Sequence, residues 1–136
     1  FINKLSSTST LSKINQGSFF LKLKNILIAS NKNFLDTYEV KTITLDFFLK
    51  QKKIKHTLLK IDVEGNEFNV LKGCKEKIKK IDLVLIEKQF FSLHKDYNFQ
   101  LSHNFLLKNK FALIKKFKFP FLNFEDRLYI NTLTIK

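Results

Sequence analysis

The sequence predicts an α/β fold in which a parallel strand-helix-strand unit is followed by an antiparallel terminal hairpin. Two apolar runs, Thr57 to Glu64 and Ile81 to Glu87, have the composition of strands buried in a parallel sheet. Two alternating segments, Phe111 to Phe119 and Arg127 to Ile135, lie near the carboxyl end with a break at Pro120 between them. The chain has 136 residues, 44% hydrophobic and 27% charged, which is enough apolar material for one globular core.

The segment before the first apolar run changes character several times. Leu5 to Ser12 is rich in serine and threonine and predicts a loop. Apolar side chains recur at helical spacing over Gly17 to Ala29, which predicts a helix, and Ser30 to Asp36 predicts a polar break. Tyr38 to Leu45 alternates apolar with polar residues and predicts a strand.

Asp46 stands directly before the apolar residues Phe47 and Phe48, where the N-cap of a helix is usually found. We therefore expect a short helix from Asp46 to about Lys53. A capping role for Asp46 is favoured over a role as a ligand.

The first apolar run stops at Gly65, and the spacing of apolar residues then changes to three and four. A helix is expected from Asn66, with an interruption near Gly73 and a resumption over Lys75 to Lys80. A strand, a helix and a second strand in this order imply a right-handed parallel crossover.

A further helix is predicted after the second apolar run. Asn98 is suited to cap its amino end, and the helix should reach about Lys110. Leu101, Phe105 and Leu106 are expected to face inward.

The composition limits the class of protein. The formal net charge is +13, but Arg127 is the only arginine, and arginine is the residue best suited to bidentate phosphate and base contacts. Nucleic acid is therefore not the expected partner. Cys74 is the only cysteine, so no intramolecular disulfide and no zinc spacing are expected. The longest apolar stretches, such as Ile26 to Ala29, are too short for membrane insertion, and a cytoplasmic location is the default expectation.

The segment Lys60 to Gly65 carries the candidate chemistry. On a strand, Lys60, Asp62 and Glu64 share one face, and the acids lie at the carboxyl end, where ligands bind in open parallel sheets. The alternative is structural: Lys60 or a nearby lysine pairs with Asp62, and Glu64 caps the following helix.

Five segments in order resemble the signature of FkbM-type methyltransferases. They are Ser6 to Thr10, Val40 to Asp46, Leu59 to Glu67, Val70 to Gly73 and Val84 to Glu87. The similarity spans roughly residues 5 to 90, and the block Asp-Val-Glu-Gly with its flanks is its most specific part.

The resemblance implies a Rossmann-like class I methyltransferase with a seven-stranded sheet. Thr57 to Glu64 would be its fourth strand, Ile81 to Glu87 its fifth, and the terminal hairpin its last two. The implied cofactor is S-adenosylmethionine, and the implied reaction is methylation of a hydroxyl oxygen on a sugar, polyketide or similar metabolite. The expected partner is therefore a small-molecule or glycan acceptor. The sequence does not predict the oligomeric state of the protein.

Glycine content departs from the family pattern. Gly17, Gly65 and Gly73 are the only glycines, so the glycine-rich loop that would let the backbone approach the cofactor is missing. We therefore expect residues 1–136 to be a single partial methyltransferase domain without its N-terminal cofactor-binding half, inactive alone. Its cofactor-binding residues are not assigned.

Asp62 is the first candidate catalytic residue, as a general base or as the ligand of a divalent cation. Glu64 is the second candidate and Glu87 the third. His94 could line an acceptor pocket, although a surface position is favoured. His56 is expected to be solvated.

Two other classes of protein remain open at this stage. One is a non-catalytic Rossmann-like domain for protein interaction or carbohydrate binding. The other is a basic nucleic-acid-binding domain, for which the overall charge is the only support.

Overall fold

The computed structural model describes residues 2–3, 34–36, 39–91, 94, 97–119 and 122–134. The chain divides into two compact units: the smaller contains residues 1–41, 63–66 and 91–97, and the larger contains residues 42–62, 67–90 and 98–136. The predictions for Leu5 to Ser12 and Gly17 to Ala29 lie outside the described residues. The expectation of one partial domain over residues 1–136 stays a prediction.

In the smaller unit, β1 (Ile2–Asn3) pairs antiparallel with β2 (Phe34–Asp36). The prediction of a polar break over Ser30 to Asp36 is therefore wrong at its carboxyl end. The partner of β2 is β1, about thirty residues earlier in the chain, and local composition does not predict pairing over such a distance.

The larger unit is built on a mixed sheet of four strands. These are β3 (Leu58–Ile61), β4 (Leu83–Gln89), β5 (Phe111–Lys118) and β6 (Phe124–Asn131). Their order is β3-β4-β6-β5, with β3 and β4 parallel and the other pairs antiparallel. The predicted parallel unit and the predicted antiparallel hairpin are both confirmed. The predicted burial of the first apolar run is wrong at Leu58, which is 55% exposed in β3.

Four helical segments accompany this sheet in the described residues. They are α1 (Leu45–Phe48), α2 (Glu67–Lys72), a turn of 3-10 helix (Lys77–Lys80) and α3 (Phe99–Lys108). The Asn98 side chain accepts a hydrogen bond from the backbone N–H of Gln100 at 3.0 Å, which confirms the predicted cap of α3. Within the described part of the chain, no helix has both the length and the apolar character needed to cross a membrane.

The core lies on the face of the sheet that the helices cover. Ile61, Val84, Ile86 and Tyr129 are almost completely buried there. Tyr129 links this face to α3, since its hydroxyl lies 2.8 Å from Nδ1 of His103.

The packing of α3 corrects one expectation about its inward face. Phe99, Ser102 and Leu106 are buried, and their spacing of three and four defines a single helical face. Leu101 lies off that face and is 44% exposed, so its predicted inward orientation is wrong.

The predicted strand over Tyr38 to Leu45 is also wrong in its described part. Residues 39–44 have no regular secondary structure, and Leu45 begins α1. Val40 and Ile43 are 60% and 65% exposed. Alternation stabilises a strand only when a neighbouring strand supplies backbone and side-chain partners.

Asp46 is a cap, but of a different helix from the one predicted. The hydroxyl of Thr44 caps α1 by accepting from the N–H of Phe47 at 3.2 Å. The Asp46 carboxylate instead accepts from the N–H groups of Glu76 and Lys77, at 3.0 and 2.8 Å, at the start of the 3-10 helix. The helix predicted to reach Lys53 ends at Phe48.

Candidate active site

The carboxyl ends of the parallel strands β3 and β4 meet at one edge of the larger unit. Lys60 in β3 is the register partner of Leu85 in β4. Glu87, two residues further along β4, is the register partner of Asp126 in β6. Because side chains alternate along strands, Lys60, Glu87 and Asp126 share one face, opposite the face that carries the core. Asp62 follows the end of β3 directly.

Asp62 is paired with Lys60. The Lys60 Nζ atom lies 2.7 Å from Oδ2 of Asp62, and the two side chains are 56% and 41% exposed. The structure therefore shows the ion pair between Lys60 and Asp62 that the sequence offered as an alternative to a catalytic role. An exposed pair of this kind stabilises a fold by only about 0–1 kcal/mol, so it is not a major support of the fold. The Asp62 carboxylate remains accessible to solvent.

Glu87 is much less accessible, at 8% exposure within β4. Its Oε1 atom accepts a hydrogen bond from Nε2 of Gln89 at 3.2 Å. Asp126 lies directly opposite it on the antiparallel strand β6. Carboxylates in such positions repel each other when both are ionised.

The charges of these residues influence one another. The hydrogen bond to Asp62 raises the pKa of Lys60, and the charges of Asp126 and Glu87 raise it further against the opposing effect of burial. Burial raises the pKa of Asp126, with a further increase from Asp62 and an opposing effect from Lys60. We call Lys60, Asp62, Glu87 and Asp126 the carboxylate cluster.

Three residues of the carboxylate cluster were singled out in the sequence, namely Lys60, Asp62 and Glu87, and the fourth was missed. Asp126 was missed because the last strand was predicted to begin at Arg127, whereas β6 begins at Phe124. The available signal was the acidic pair Glu125-Asp126 in a segment otherwise rich in lysine and phenylalanine.

Glu64 is placed in the smaller unit, in a turn with a backbone φ of +49°. Strand β3 ends at Ile61, so the alternation that grouped Glu64 with Lys60 and Asp62 does not hold there. Gly65 follows with a φ of +92°, and two left-handed residues in succession are incompatible with an extended strand.

Gly65 and His94 are in close contact within the smaller unit. A Cβ atom at Gly65 would overlap the imidazole ring of His94. His94 is 8% exposed, and burial lowers its pKa. The favoured surface position for His94 is therefore wrong. His56 is exposed, as expected.

The possible role of Asp62 as the ligand of a divalent cation stays a prediction. Across the residues that the structure describes, no group of three or more His, Cys, Asp or Glu side chains is placed to hold a metal ion.

The described residues contain two glycines, Gly65 and Gly73, and these are too far apart to form a glycine-rich loop. The residues gathered at the end of β3 are instead acids and one lysine. Carboxylates are side chains that can accept and donate protons.

A comparison with protein families identifies the chain. The family model of the methyltransferase FkbM domain matches residues 4–113, which include β3, β4, α3 and the first residues of β5. No curated protein and no solved structure matches the chain. The resemblance found in the sequence motifs is thereby confirmed. The chain belongs to the FkbM methyltransferase family.

Proposed function

We propose that this chain is part of an S-adenosylmethionine-dependent methyltransferase that methylates a hydroxyl oxygen of a sugar, polyketide or similar small-molecule or glycan acceptor. The match of the FkbM domain to residues 4–113 carries the proposal. The carboxylate cluster at the end of the parallel strands supports it, because ligands of open parallel sheets bind at that edge.

The observed sheet would then be the carboxyl-terminal part of a Rossmann-like class I methyltransferase sheet. In this proposal β3 and β4 are its fourth and fifth strands, and β5 and β6 are its last two. The parallel pairing of β3 with β4 and the antiparallel hairpin that follows are compatible with it. Residues 1–136 would form one partial domain whose cofactor-binding half lies elsewhere.

Methyl transfer to oxygen is an in-line displacement in which the acceptor hydroxyl loses its proton. The bound cofactor supplies an electrophilic methyl group. Alignment of the reacting groups can contribute about 7–11 kcal/mol, and a general base contributes on the order of 10²–10⁴ in rate.

Asp62 is the residue that we propose as the base. Its side chain is 41% exposed at the strand end, so an acceptor can reach the carboxylate. The 2.7 Å contact with Lys60 holds that carboxylate in one orientation. Glu64 is the second candidate and Glu87 the third.

Glu87 and Asp126 would act on Asp62 through the charge of the cluster. Three carboxylates and one ammonium give a formal net charge of −2 when all are ionised, from one positive and three negative groups. Within the cluster the effect of neighbouring charge is seen at Asp126, whose pKa is raised by burial and, to a smaller extent, by the charge of Asp62.

The decisive experiment compares Asp62→Asn with the wild type in the natural full-length protein at saturating substrate. We expect kcat to fall by about 10²–10⁴, the contribution of a general base. Glu76→Gln is the matched control, since it removes one exposed acid outside the carboxylate cluster and should leave kcat unchanged. An unaltered kcat for Asp62→Asn would exclude the base role.

The proposal of a partial domain has a separate test. Isothermal titration of S-adenosylmethionine into these 136 residues alone should show no saturable binding. Tight binding would contradict the partial-domain proposal but would leave the family membership intact.

A further inference from the structure

A basic cleft lies at the amino ends of β3 and β4, at the opposite end of these strands from the carboxylate cluster. Its volume is about 780 Å³, within the range of cavities that hold small molecules. Lys55 and His56 line one part of it, and Lys79 and Lys80 line another. All residues of this basic cleft belong to the larger unit.

The floor of the basic cleft is held by hydrogen bonds between strand ends. The N–H of Thr57 donates to the Asp82 carboxylate at 2.8 Å. The Thr57 carbonyl accepts from the N–H groups of Asp82 and Leu83, at 3.2 and 3.0 Å. These bonds fix the two strand starts relative to each other, so the floor is formed before any ligand arrives.

The backbone beneath the lysines is fixed as well. The side-chain amide of Asn131 donates to the carbonyls of Lys79 and Ile81, at 3.2 and 2.9 Å. Asn131 is completely buried, and its bond to the Ile81 carbonyl is shielded from water, while the bond to the Lys79 carbonyl is partly buried. The segment that presents Lys79 and Lys80 is therefore anchored to the end of β6.

His56 adds a sign of local strain. Its backbone φ is +47°, in the left-handed region. A residue other than glycine adopts this conformation at a cost of about 1–2 kcal/mol. Backbone strain of this kind tends to occur at functional sites, and here it occurs in the lining of the basic cleft.

The charge of the cleft favours an anion. Three lysines and one histidine face a single acid, Asp82. Hydrogen bonds from Thr134 and from the backbone of Thr57 lower the pKa of Asp82, so its negative charge is already engaged by the floor. The lysine ammonium groups remain available to a ligand, and Leu58 and Leu83 offer apolar surface beside them.

We propose that the basic cleft binds a phosphate-bearing small molecule, with its phosphate between Lys55, Lys79 and Lys80 and its apolar part against Leu58 and Leu83. The site is distinct from the carboxylate cluster and does not depend on the proposed function. Lysine binds phosphate as a point charge, so several lysines on a preformed floor suit a terminal phosphate or a diphosphate.

Inorganic pyrophosphate is the probe, titrated into the whole chain at constant ionic strength and followed by amide chemical shifts. We expect saturable shifts confined to residues 55–58 and 79–83. Removing both lysines in Lys79→Gln/Lys80→Gln should weaken binding by about tenfold or more, as for lost charge-assisted hydrogen bonds. Lys115→Gln/Lys116→Gln removes the same charge from exposed positions of β5 and should leave the affinity unchanged.

Equal weakening by the two double variants, or shifts spread over all lysines, would overturn the proposal in favour of general surface charge. Binding to phosphatidic acid vesicles, with no response to pyrophosphate or to phosphatidylcholine vesicles, would assign the phosphate to a lipid and overturn the small-molecule form. If Lys79→Gln/Lys80→Gln fails to fold, Lys55→Gln serves as the second variant. It should also weaken pyrophosphate binding, and an unchanged affinity would contradict the proposal.

Discussion

Glu87 and Asp126 lie directly opposite each other on the antiparallel strands β4 and β6. Burial raises the pKa of Asp126, and Glu87 is itself only 8% exposed. Two acids in this position do not help the fold at neutral pH. Their position next to Lys60 and Asp62 is compatible with the proposed role of the carboxylate cluster in catalysis.

Asp126→Asn should therefore stabilise the fold at neutral pH, by up to about 1 kcal/mol, the scale of a cross-strand like-charge pair. The folded-state pKa of Asp126 is raised above its usual value of 3.8, so its favourable contribution is present below that value. The contribution is lost as the pH rises through the folded-state pKa. The gain from Asp126→Asn should consequently shrink in acid. Urea unfolding at neutral and at acid pH measures both effects.

Asp82→Asn provides the comparison of opposite sign. Hydrogen bonds from Thr134 and Thr57 lower the pKa of Asp82, so its contribution to stability is present above its usual value of 3.8 and is lost as the pH falls through the folded-state pKa. This variant should lose stability at neutral pH. Equal changes of the same sign in the free energy of unfolding of Asp126→Asn and Asp82→Asn would contradict the opposite pKa shifts of the two acids.

Gly65→Ala should destabilise the protein by more than about 1 kcal/mol, the cost of a left-handed residue that has a Cβ atom. The φ of Gly65 is +92°, and the added methyl group would also overlap the His94 ring. Gly73→Ala is the matched control, since its nearest contact would be an ordinary 3.4 Å to the Val70 carbonyl oxygen. Thermal unfolding should show a lower Tm for Gly65→Ala than for the wild type, and an unchanged Tm for Gly73→Ala.

Asp46→Ala should cost about 1–2 kcal/mol, because it removes both hydrogen bonds to the start of the 3-10 helix. Thr44→Ala removes a single exposed capping bond to Phe47 and should cost less. Urea unfolding of the two variants gives the comparison. A larger loss for Thr44→Ala would show that the cap of α1 matters more than the link from Asp46 to Glu76 and Lys77.

Cys74 should be unreactive in the folded protein. It is completely buried, and burial together with the charge of Asp46 raises the pKa of its thiol to about 11. The thiolate that reacts with electrophiles is therefore scarce at neutral pH. Iodoacetamide should label Cys74 only in denaturant, and rapid labelling of the folded chain would contradict its buried position.

Local patterns in the sequence were sufficient for several elements. The apolar runs predicted β3 and β4, the change of spacing predicted α2, and Asn98 predicted the start of α3. Each of these patterns depends on residues that are close together in the chain. The motifs around Asp62 to Gly65 were also sufficient to identify the family. These predictions succeeded because burial, helical period and capping act over a few residues.

Tertiary structure decided the features that depend on distant partners. Tyr38 to Leu45 alternates like a strand, yet its described residues have no regular structure, because alternation alone does not supply a neighbouring strand. Asp46 caps a helix that begins some thirty residues later. Asp126 joins Asp62 and Glu87 through the register of β4 with β6, and a shift of one residue would move it to the opposite face. The sequence by itself determined the acids Asp62 and Glu87 at the ends of the two parallel strands, and only the pairing of β4 with β6 brought Asp126 to them.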